Sequence, residues 1–342
     1  MSEKALLTSS YNFHLPDELI ASYPADPRDS AKLLVYDRAT DTITHTHFSE
    51  FEKFIPQDTA LIFNNTKVIK ARLFGKKQTG GKVELLINKP LDATKINVFI
   101  KGRVKTSTEI LFDENLTCKV MELYDDGSRV VNFFRNNQLL RFEDLLLIVD
   151  KIGHIPLPPY IQRADEKQDA VEYQSVFASK DGAVAAPTAS LHFTQTQHQR
   201  VCKTFKHGFV TLHVGSGTFK PVECDIITKH PMHSEYFHIP QDSLKLLESD
   251  TKILSIGTTS TRTIEFWARN KDKTEGEANL FLHPNNRPIR VDHLLTNFHL
   301  PKSTLLMLVA SFIGLEKTHQ LYTEAIKENY RFYSYGDAML IL

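Results

Sequence analysis

The 342-residue sequence contains little cysteine: Cys118, Cys202 and Cys224 are its only three. Three cysteines without a C-x-x-C pair indicate neither a disulfide framework nor a cysteine zinc site, and they fit a reducing cytosol. Long apolar runs are also missing, because the longest weakly polar run, residues 303–315, is shorter than the roughly 20 residues of a membrane helix. The N-terminus lacks a basic segment followed by an apolar one. We therefore expect a cytoplasmic protein without a membrane or targeting segment.

Neither charge is in excess, since 41 Lys and Arg balance 41 Asp and Glu. This balance argues against a nucleic-acid partner, but it hides a local excess. Residues 59–105 contain eleven Lys or Arg and only two acidic residues. Such a basic stripe is typical of a surface that contacts phosphates. The alternative is an ordinary solvated surface balanced by the acidic residues between 109 and 150.

The hydrophobic pattern changes its period along the chain. Continuous apolar runs predict buried strands, and helical spacing predicts helices. The predicted strands are residues 33–36, 60–63 and 253–256, and the predicted helices are residues 142–149, 244–248, 258–267, 305–313 and 318–330. Between residues 82 and 134, five short strands at a spacing of about ten residues indicate a small barrel or sandwich. Asp126-Gly127 predicts a hairpin with both turn residues at positive φ.

These patterns predict two units, as the chain length also suggests. The first is a mixed α/β main domain formed by residues 1–66 and 150–342. The second is a small antiparallel β-barrel, residues 67–149, inserted into it. The charged, glycine-containing residues 271–278 are predicted to form a surface loop.

Three histidine segments, residues 185–194, 211–219 and 230–236, indicate a site. Each places a histidine (His192, His213 or His233) beside small or hydroxylated residues. A buried imidazole or hydroxyl without a partner costs about 1–3 kcal/mol, so a plain core has little use for them. The histidine spacings of 21 and 20 residues match no compact zinc motif. Proton transfer or substrate contact is favoured over metal binding and over purely structural hydrogen bonding.

Two further segments are typical of ligand contacts. Gly215 and Gly217 form a G-x-G without the third glycine of a dinucleotide fingerprint, so they indicate either a backbone cradle for a ligand or a tight turn. Thr258, Thr259 and Arg262 follow a predicted strand and open a helix. Free N–H groups, hydroxyls and a guanidinium at such a position suit an anion, although a plain capping turn is the alternative.

Longer motifs distributed over nearly the whole chain resemble those of one enzyme family. They include Pro156-Leu157-Pro158-Pro159-Tyr160-Ile161, the histidine segments, and residues 15–21, 63–75, 80–84, 257–260, 296–306 and 333–339. With these motifs the sequence is similar to the S-adenosylmethionine:tRNA ribosyltransferase-isomerase family of queuosine biosynthesis. The family pattern has aspartate where Asn65 stands and glycine where Ser190 stands.

The resemblance implies a mixed α/β domain with an inserted β-barrel, S-adenosylmethionine as ribosyl donor without a tightly bound cofactor, and tRNA as partner. We expect a monomer. The expected catalytic residues are His192, His213 and His233, with Glu235 orienting an imidazole. The expected substrate-binding residues are Asn64, Arg72, Thr188, Gly215, Gly217, Thr258, Thr259, Arg262, Asn297, His299, Tyr333 and Asp337.

Two other functions fit parts of the pattern. A non-catalytic RNA-binding protein could use the basic barrel alone, and a metal-dependent hydrolase could use the histidines. The polar histidine segments lie outside the basic stripe, and RNA binding alone would not need them. We therefore favour the enzyme.

Overall fold

The computed structural model describes residues 3–215, 217 and 222–342. The strands in chain order are β1 (Lys32–Asp37), β2 (Thr42–His47), β3 (Thr59–Asn64), β4 (Thr66–Val68), β5 (Arg72–Lys77), β6 (Lys82–Pro90), β7 (Lys95–Lys101), β8 (Glu109–Leu111), β9 (Leu116–Leu123), β10 (Ser128–Arg135), β11 (Gln138–Leu139), β12 (Lys180–Ala183), β13 (His207–Leu212), β14 (Glu235–His238), β15 (Lys252–Ile256), β16 (Glu275–Ala278), β17 (His293–Asn297) and β18 (Ala338–Ile341). The α-helices are α1 (Phe142–Ile152), α2 (Asp169–Glu172), α3 (Gln195–Thr204), α4 (Gln241–Glu248), α5 (Thr258–Arg269), α6 (Thr304–Ile313) and α7 (Leu315–Lys327).

The main sheet has the strand order β16-β14-β13-β3-β15-β17-β18-β1-β2. Its central strands β13, β3, β15 and β17 are parallel, whereas β14 and β16 continue one side antiparallel. Every residue of β3 is buried, as expected where both faces of a parallel sheet are covered. Ile62 belongs to the core under α5, α6 and α7, while Leu61 belongs to the core on the opposite face, which includes Phe193.

Strands β5 to β10 form a closed six-stranded antiparallel barrel. Their order is β10-β7-β6-β5-β8-β9, and the pairing of β9 with β10 closes the ring. Val83, Leu85 and Ile87 alternate along β6 into the barrel core, and α1 adds Leu145 and Val149 to the same core. The predicted fold class, a mixed α/β domain with an antiparallel barrel, is confirmed.

The hairpin predicted at Asp126-Gly127 joins β9 to β10, but its turn differs from the prediction. Only Gly127 adopts a positive φ, of 88°. The connection runs over residues 124–127, so it is longer than a two-residue turn, and the requirement for two positive φ angles does not apply.

The predicted surface loop at residues 271–278 is partly wrong, because β16 occupies its second half. This strand pairs antiparallel with β14. Glu275 and Glu277 are exposed, which is typical of an edge strand whose charges prevent further pairing. Charge and glycine content predicted a loop here, but pairing with the distant strand β14 makes residues 275–278 a strand.

Candidate active site

A cleft opens at the carboxyl ends of the central strands. In the sheet order, β13 lies next to β3 on one side, while β15 and then β17 lie on the other side. The strand order therefore changes direction between β3 and β15. Such a topological switch point is where open α/β sheets bind ligands. A first cavity of about 70 Å³ lies there. Its lining includes Thr188, Thr258, Thr259, Asn297, His299 and Tyr333, all predicted to bind substrate, and Tyr160.

Asn64, at the end of β3, fixes the floor below this cavity. Its amide nitrogen donates to Leu212 O and to Thr259 Oγ1, both at 3.0 Å, and its oxygen accepts from the N–H groups of Leu212 and Thr66 at 3.0 and 3.1 Å. The fully buried side chain therefore ties β3, β13 and α5 together. It lies beneath Thr259 and outside the cavity lining.

His192 does not line the first cavity itself but forms a hydrogen bond with Asn297, which does. Its Nε2 is 3.1 Å from Asn297 Oδ1. Because the Asn297 amide nitrogen donates to the carbonyl oxygens of Tyr333 and Ser334, at 2.9 and 3.3 Å, Oδ1 must accept and His192 Nε2 must carry the proton. Burial lowers the pKa of His192 to about 4. The imidazole is therefore neutral at pH 7.

His299 and Tyr333 present two further polar groups to the first cavity. His299 Nε2 pairs with Thr296 Oγ1 at 2.8 Å, and burial lowers the His299 pKa to about 3. Tyr333 has a φ of +73° and lies 4.3 Å from Tyr160, ring centre to ring centre. Burial raises its pKa to about 12, so the phenol keeps its proton. Backbone strain in a non-glycine residue at a cavity is typical of a functional position.

A second, larger cavity of about 530 Å³ lies between the main sheet and the barrel. The barrel contributes Asn88, Lys89, Asn97, Phe99 and Tyr124, and the main domain contributes Asp181, Gly182, His213, Gly215, Gly217, His233, Glu235 and Tyr236. Two of the three predicted catalytic histidines therefore face this cavity.

His213 is held firmly in the wall of the second cavity. Its Nδ1 is 2.7 Å from Thr66 Oγ1, and its ring stacks on Tyr236 at 5.6 Å. Gly182, at a φ of +147°, lies against the ring, where a Cβ atom would be 2.8 Å from the imidazole. Burial lowers the pKa of His213, although the Asp181 carboxylate acts in the opposite direction.

A third, small cavity of about 20 Å³ joins the other two. It shares Gly217, His233 and Glu235 with the second cavity and Leu305 with the first. Arg262 lines it and forms a buried ion pair with Glu235. Glu235 Oε1 also accepts from the Gly215 N–H at 2.9 Å. The three cavities are therefore neighbours that share lining residues.

Four of the predicted site residues lie outside these linings: His192, Asn64, Arg72 and Asp337. Arg72 lies where the barrel begins, pairing with Glu84 at 3.3 Å and donating to Leu157 O at 3.2 Å. Asp337 accepts from the backbone N–H groups of Lys32 and Arg331, at 3.0 and 2.7 Å, and thereby shapes the turn that carries Tyr333. That Glu235 orients an imidazole stays a prediction.

Several lining residues were not predicted from the sequence. Tyr160 belongs to the motif of the family resemblance at residues 156–161, which is the signal that points to it. Tyr236 belongs to the third histidine segment and stacks on His213. Asp181 and the barrel residues carry no such local signal and line the second cavity because the barrel lies against the sheet. Ser216, Thr218 and Phe219 of the second histidine segment lie outside the described residues.

Within residues 3–215, 217 and 222–342, no three His, Cys, Asp or Glu side chains are grouped as ligands for a metal ion. Over the same residues, each helix is too short or too polar to cross a membrane.

Neighbouring cavities between an α/β sheet and a barrel, with His299 and His213 in their walls, are typical of the site of an enzyme. The profile of the queuosine biosynthesis protein family matches residues 8–341, and the chain belongs to this family. It is 68% identical to the S-adenosylmethionine:tRNA ribosyltransferase-isomerase of Sulfurimonas denitrificans, covering 100% of both chains, and 56% identical to that of Campylobacter jejuni, covering 99% of each.

A solved structure gives the same result. The crystal structure of S-adenosylmethionine tRNA ribosyltransferase from Thermotoga maritima is 31% identical, with a TM-score of 0.54, covering 97% of this chain and 100% of the other. The resemblance and the enzymatic character predicted from the sequence are confirmed. Family membership favours the enzyme over a non-catalytic RNA-binding protein.

Proposed function

We propose that this chain transfers and isomerises the ribosyl group of S-adenosylmethionine onto 7-aminomethyl-7-deazaguanine at the wobble position of tRNA. Epoxyqueuosine-tRNA, adenine and methionine are the products. The observation that carries the proposal is the pair of neighbouring cavities, which offers a narrow slot to one substrate and a wide, barrel-facing cavity to the other. The names of the relatives, which specify both S-adenosylmethionine and tRNA, support it.

The chemistry sets the demands on these cavities. A sulfonium acidifies the adjacent C5′–H, so a base near that carbon can form an ylide, and adenine leaves more easily when an acid protonates its ring. The tRNA amine must be neutral to attack the sugar. Imidazoles with pKa values near or below neutrality suit these proton transfers.

We assign the adenosine part of S-adenosylmethionine to the first cavity. Thr258, Thr259, Asn297 and His299 offer hydroxyl, amide and imidazole groups to a purine or ribose in a narrow space. His192 then acts as a positioning residue, because its N–H holds the oxygen of the Asn297 amide while the Tyr333 and Ser334 carbonyls hold the nitrogen. Asn64 has the same role for Thr259.

We assign the tRNA base to the second cavity. Its volume of about 530 Å³ is in the range of about 300–1,000 Å³ that is usual for ligand sites. Phe99 and Tyr236 offer aromatic faces on which an extruded base can stack. His213 lies in the wall and His233 at the junction with the third cavity, so these two are the histidines we propose for proton transfer.

We propose that residues 67–149 act as one inserted unit that holds tRNA. Strands β5 to β11 pair in one sheet. On it, Lys76 and Lys82 are direct cross-strand partners, although like charges at opposed positions destabilise a sheet. Phosphate binding explains why such an arrangement persists.

The test is incubation with S-adenosylmethionine and a tRNA that contains the deazaguanine, with free adenine and methionine measured. We expect both products in equal amounts, together with epoxyqueuosine in the digested tRNA. The same tRNA with unmodified guanine is the control and should release neither. Absence of adenine with the modified tRNA would refute the proposal.

A further inference from the structure

We propose that Arg262 binds the α-carboxylate at the amino-acid end of S-adenosylmethionine, in the third cavity. The inference rests on the function proposed above and adds the group that recognises the methionyl part. It distinguishes this part from the adenosine part, which the first cavity receives.

The guanidinium of Arg262 is buried with one nitrogen unused. Its side chain is 8% exposed, Nε donates to Leu280 O at 3.3 Å, and Nη1 donates to Glu235. Among the described residues, the buried Nη2 has no hydrogen-bond partner. A buried donor without an acceptor is destabilising, so Nη2 is available to an acceptor oxygen supplied by a ligand, in addition to the bond that Nη1 makes with Glu235.

A second, independent feature favours an anion at the same place. Thr304 and Leu305, the first two residues of α6, line the third cavity, and Ser303 caps the helix by accepting from the Leu306 N–H at 3.2 Å. The first N–H groups of an α-helix have no partner within the helix and form the positive end of its dipole. Helix and guanidinium therefore converge on one small space.

The size of that space favours a carboxylate over a tRNA phosphate. A cavity of about 20 Å³ has room for about one water-sized atom. A carboxylate ends a flexible chain and can insert one oxygen there. A phosphodiester is flanked by a nucleotide on each side and would have to bring both into a region where Arg262 is almost fully enclosed.

The position of the cavity also fits the methionyl chain. Leu305 borders the first cavity, while His233 and Glu235 border the second. A carboxylate fixed on Arg262 therefore leaves the sulfonium and C5′ near the junction, between the purine slot and the cavity assigned to the tRNA base. This is where the reacting carbon has to lie.

The experiment measures equilibrium binding of S-adenosylmethionine and of its decarboxylated analogue, with and without tRNA. The proteins are wild type, Arg262→Lys, which keeps the charge but loses the planar fork, and Arg269→Lys. Arg269 lies on the same helix and pairs with Glu265, so it is a matched control. Binding requires no turnover, so its result is independent of the adenine-release assay that tests the function.

We expect wild type and Arg269→Lys to bind the decarboxylated analogue about 10-fold to 100-fold more weakly than S-adenosylmethionine, as is usual for a lost charged hydrogen bond. Arg262→Lys should bind both ligands with similar, weak affinity, because the two changes remove the same contact and their effects are not additive. Equal weakening of both ligands by Arg262→Lys, or wild type that does not distinguish them, would overturn the assignment. If Arg262→Lys fails to fold, the wild type is tested by competition. Methionine should displace S-adenosylmethionine, and 3-(methylthio)propylamine, which lacks the carboxylate, should not. Equal competition by both compounds would overturn the assignment.

Discussion

The imidazole of His192 and the side-chain amide of Asn297 form a buried hydrogen bond, with Nε2 at 3.1 Å from Oδ1. The imidazole ring also lies 5.0 Å from the ring of Phe48. Burial is the main reason that its pKa falls from 6.5 to about 4, while the bond to Asn297 and the Asp337 carboxylate act in the opposite direction. The pair therefore links the stability of the fold to pH while it orients a residue of the first cavity.

We predict that His192 makes the protein less stable in mild acid. Its pKa is lower in the folded protein, so the unfolded chain takes up the proton first. The contribution is complete above about pH 6.5 and is lost as the pH falls to about 4, amounting to about 3 kcal/mol in the free energy of unfolding. His192→Gln should flatten this part of the pH profile in urea unfolding, whereas His47→Gln, at an exposed position, should not. Parallel profiles for wild type and His192→Gln would contradict the prediction.

We predict that proton transfer depends on His213 or His233 rather than directly on His192. A positioned proton-transfer group contributes about 10²–10⁴-fold to a rate. At least one of His213→Gln and His233→Gln should therefore slow single-turnover adenine release by about a hundredfold or more, with an unchanged melting temperature. His192→Gln should lose stability and rate together. Near-normal rates for both His213→Gln and His233→Gln would show that the base lies elsewhere in these cavities.

Gly182 allows a direct test of the position of His213. Gly182→Ala places a Cβ atom 2.8 Å from the imidazole, at a φ of +147°. Gly276→Ala, at a φ of +130°, meets no atom within 4 Å. Both variants should lose about 1–3 kcal/mol through backbone strain, but only Gly182→Ala should also lose about 100-fold in adenine release, as a displaced catalytic group does. Equal rates in the two variants would contradict a role for the His213 ring.

The barrel surface should determine how tRNA binding responds to salt. The substitutions are Lys76→Gln, Lys82→Gln, Arg103→Gln and Lys105→Gln, with Lys53→Gln, Lys203→Gln, Lys206→Gln and Lys245→Gln as a control on the main domain. Each lost phosphate contact reduces the slope of log affinity against log salt by about 0.7–0.9. We expect a shallower slope for the barrel variant only. An unchanged slope in the barrel variant, or an equal fall in both variants, would contradict the assignment of the tRNA contacts to the barrel.

The barrel was predictable because local pattern encodes it. Val83, Leu85 and Ile87 alternate with half-exposed or exposed residues along β6, and strands that recur every ten residues leave few other arrangements. The central strand β3 was predictable for the opposite reason: its continuous apolar run indicates burial on both faces. Such signals arise from each strand alone and need no knowledge of its neighbours.

The division of the site into three cavities was not predictable, because it depends on distant partners. Arg262 and Thr258 lie four residues apart on one helix, yet Arg262 reaches the third cavity and Thr258 the first. His192 resembles a catalytic histidine in its sequence context, but its partner is 105 residues further along the chain. Asp337 has a carboxylate that suits a ligand contact, but both of its oxygens accept from backbone N–H groups, those of Lys32 and Arg331.

The place of β18 in the sheet has a consequence for folding. This strand lies between β17 and β1, and Leu340 pairs with Val35 on one side and with Leu295 on the other. In the described part of the chain, strands β1 and β2 therefore join the rest of the main sheet only through β18. Asp337, which directly precedes β18, bonds to the backbone of Lys32 at the start of β1, and the same turn carries Tyr333 into the first cavity. Attachment of the β1–β2 hairpin and completion of the first cavity wall are therefore parts of one folding step.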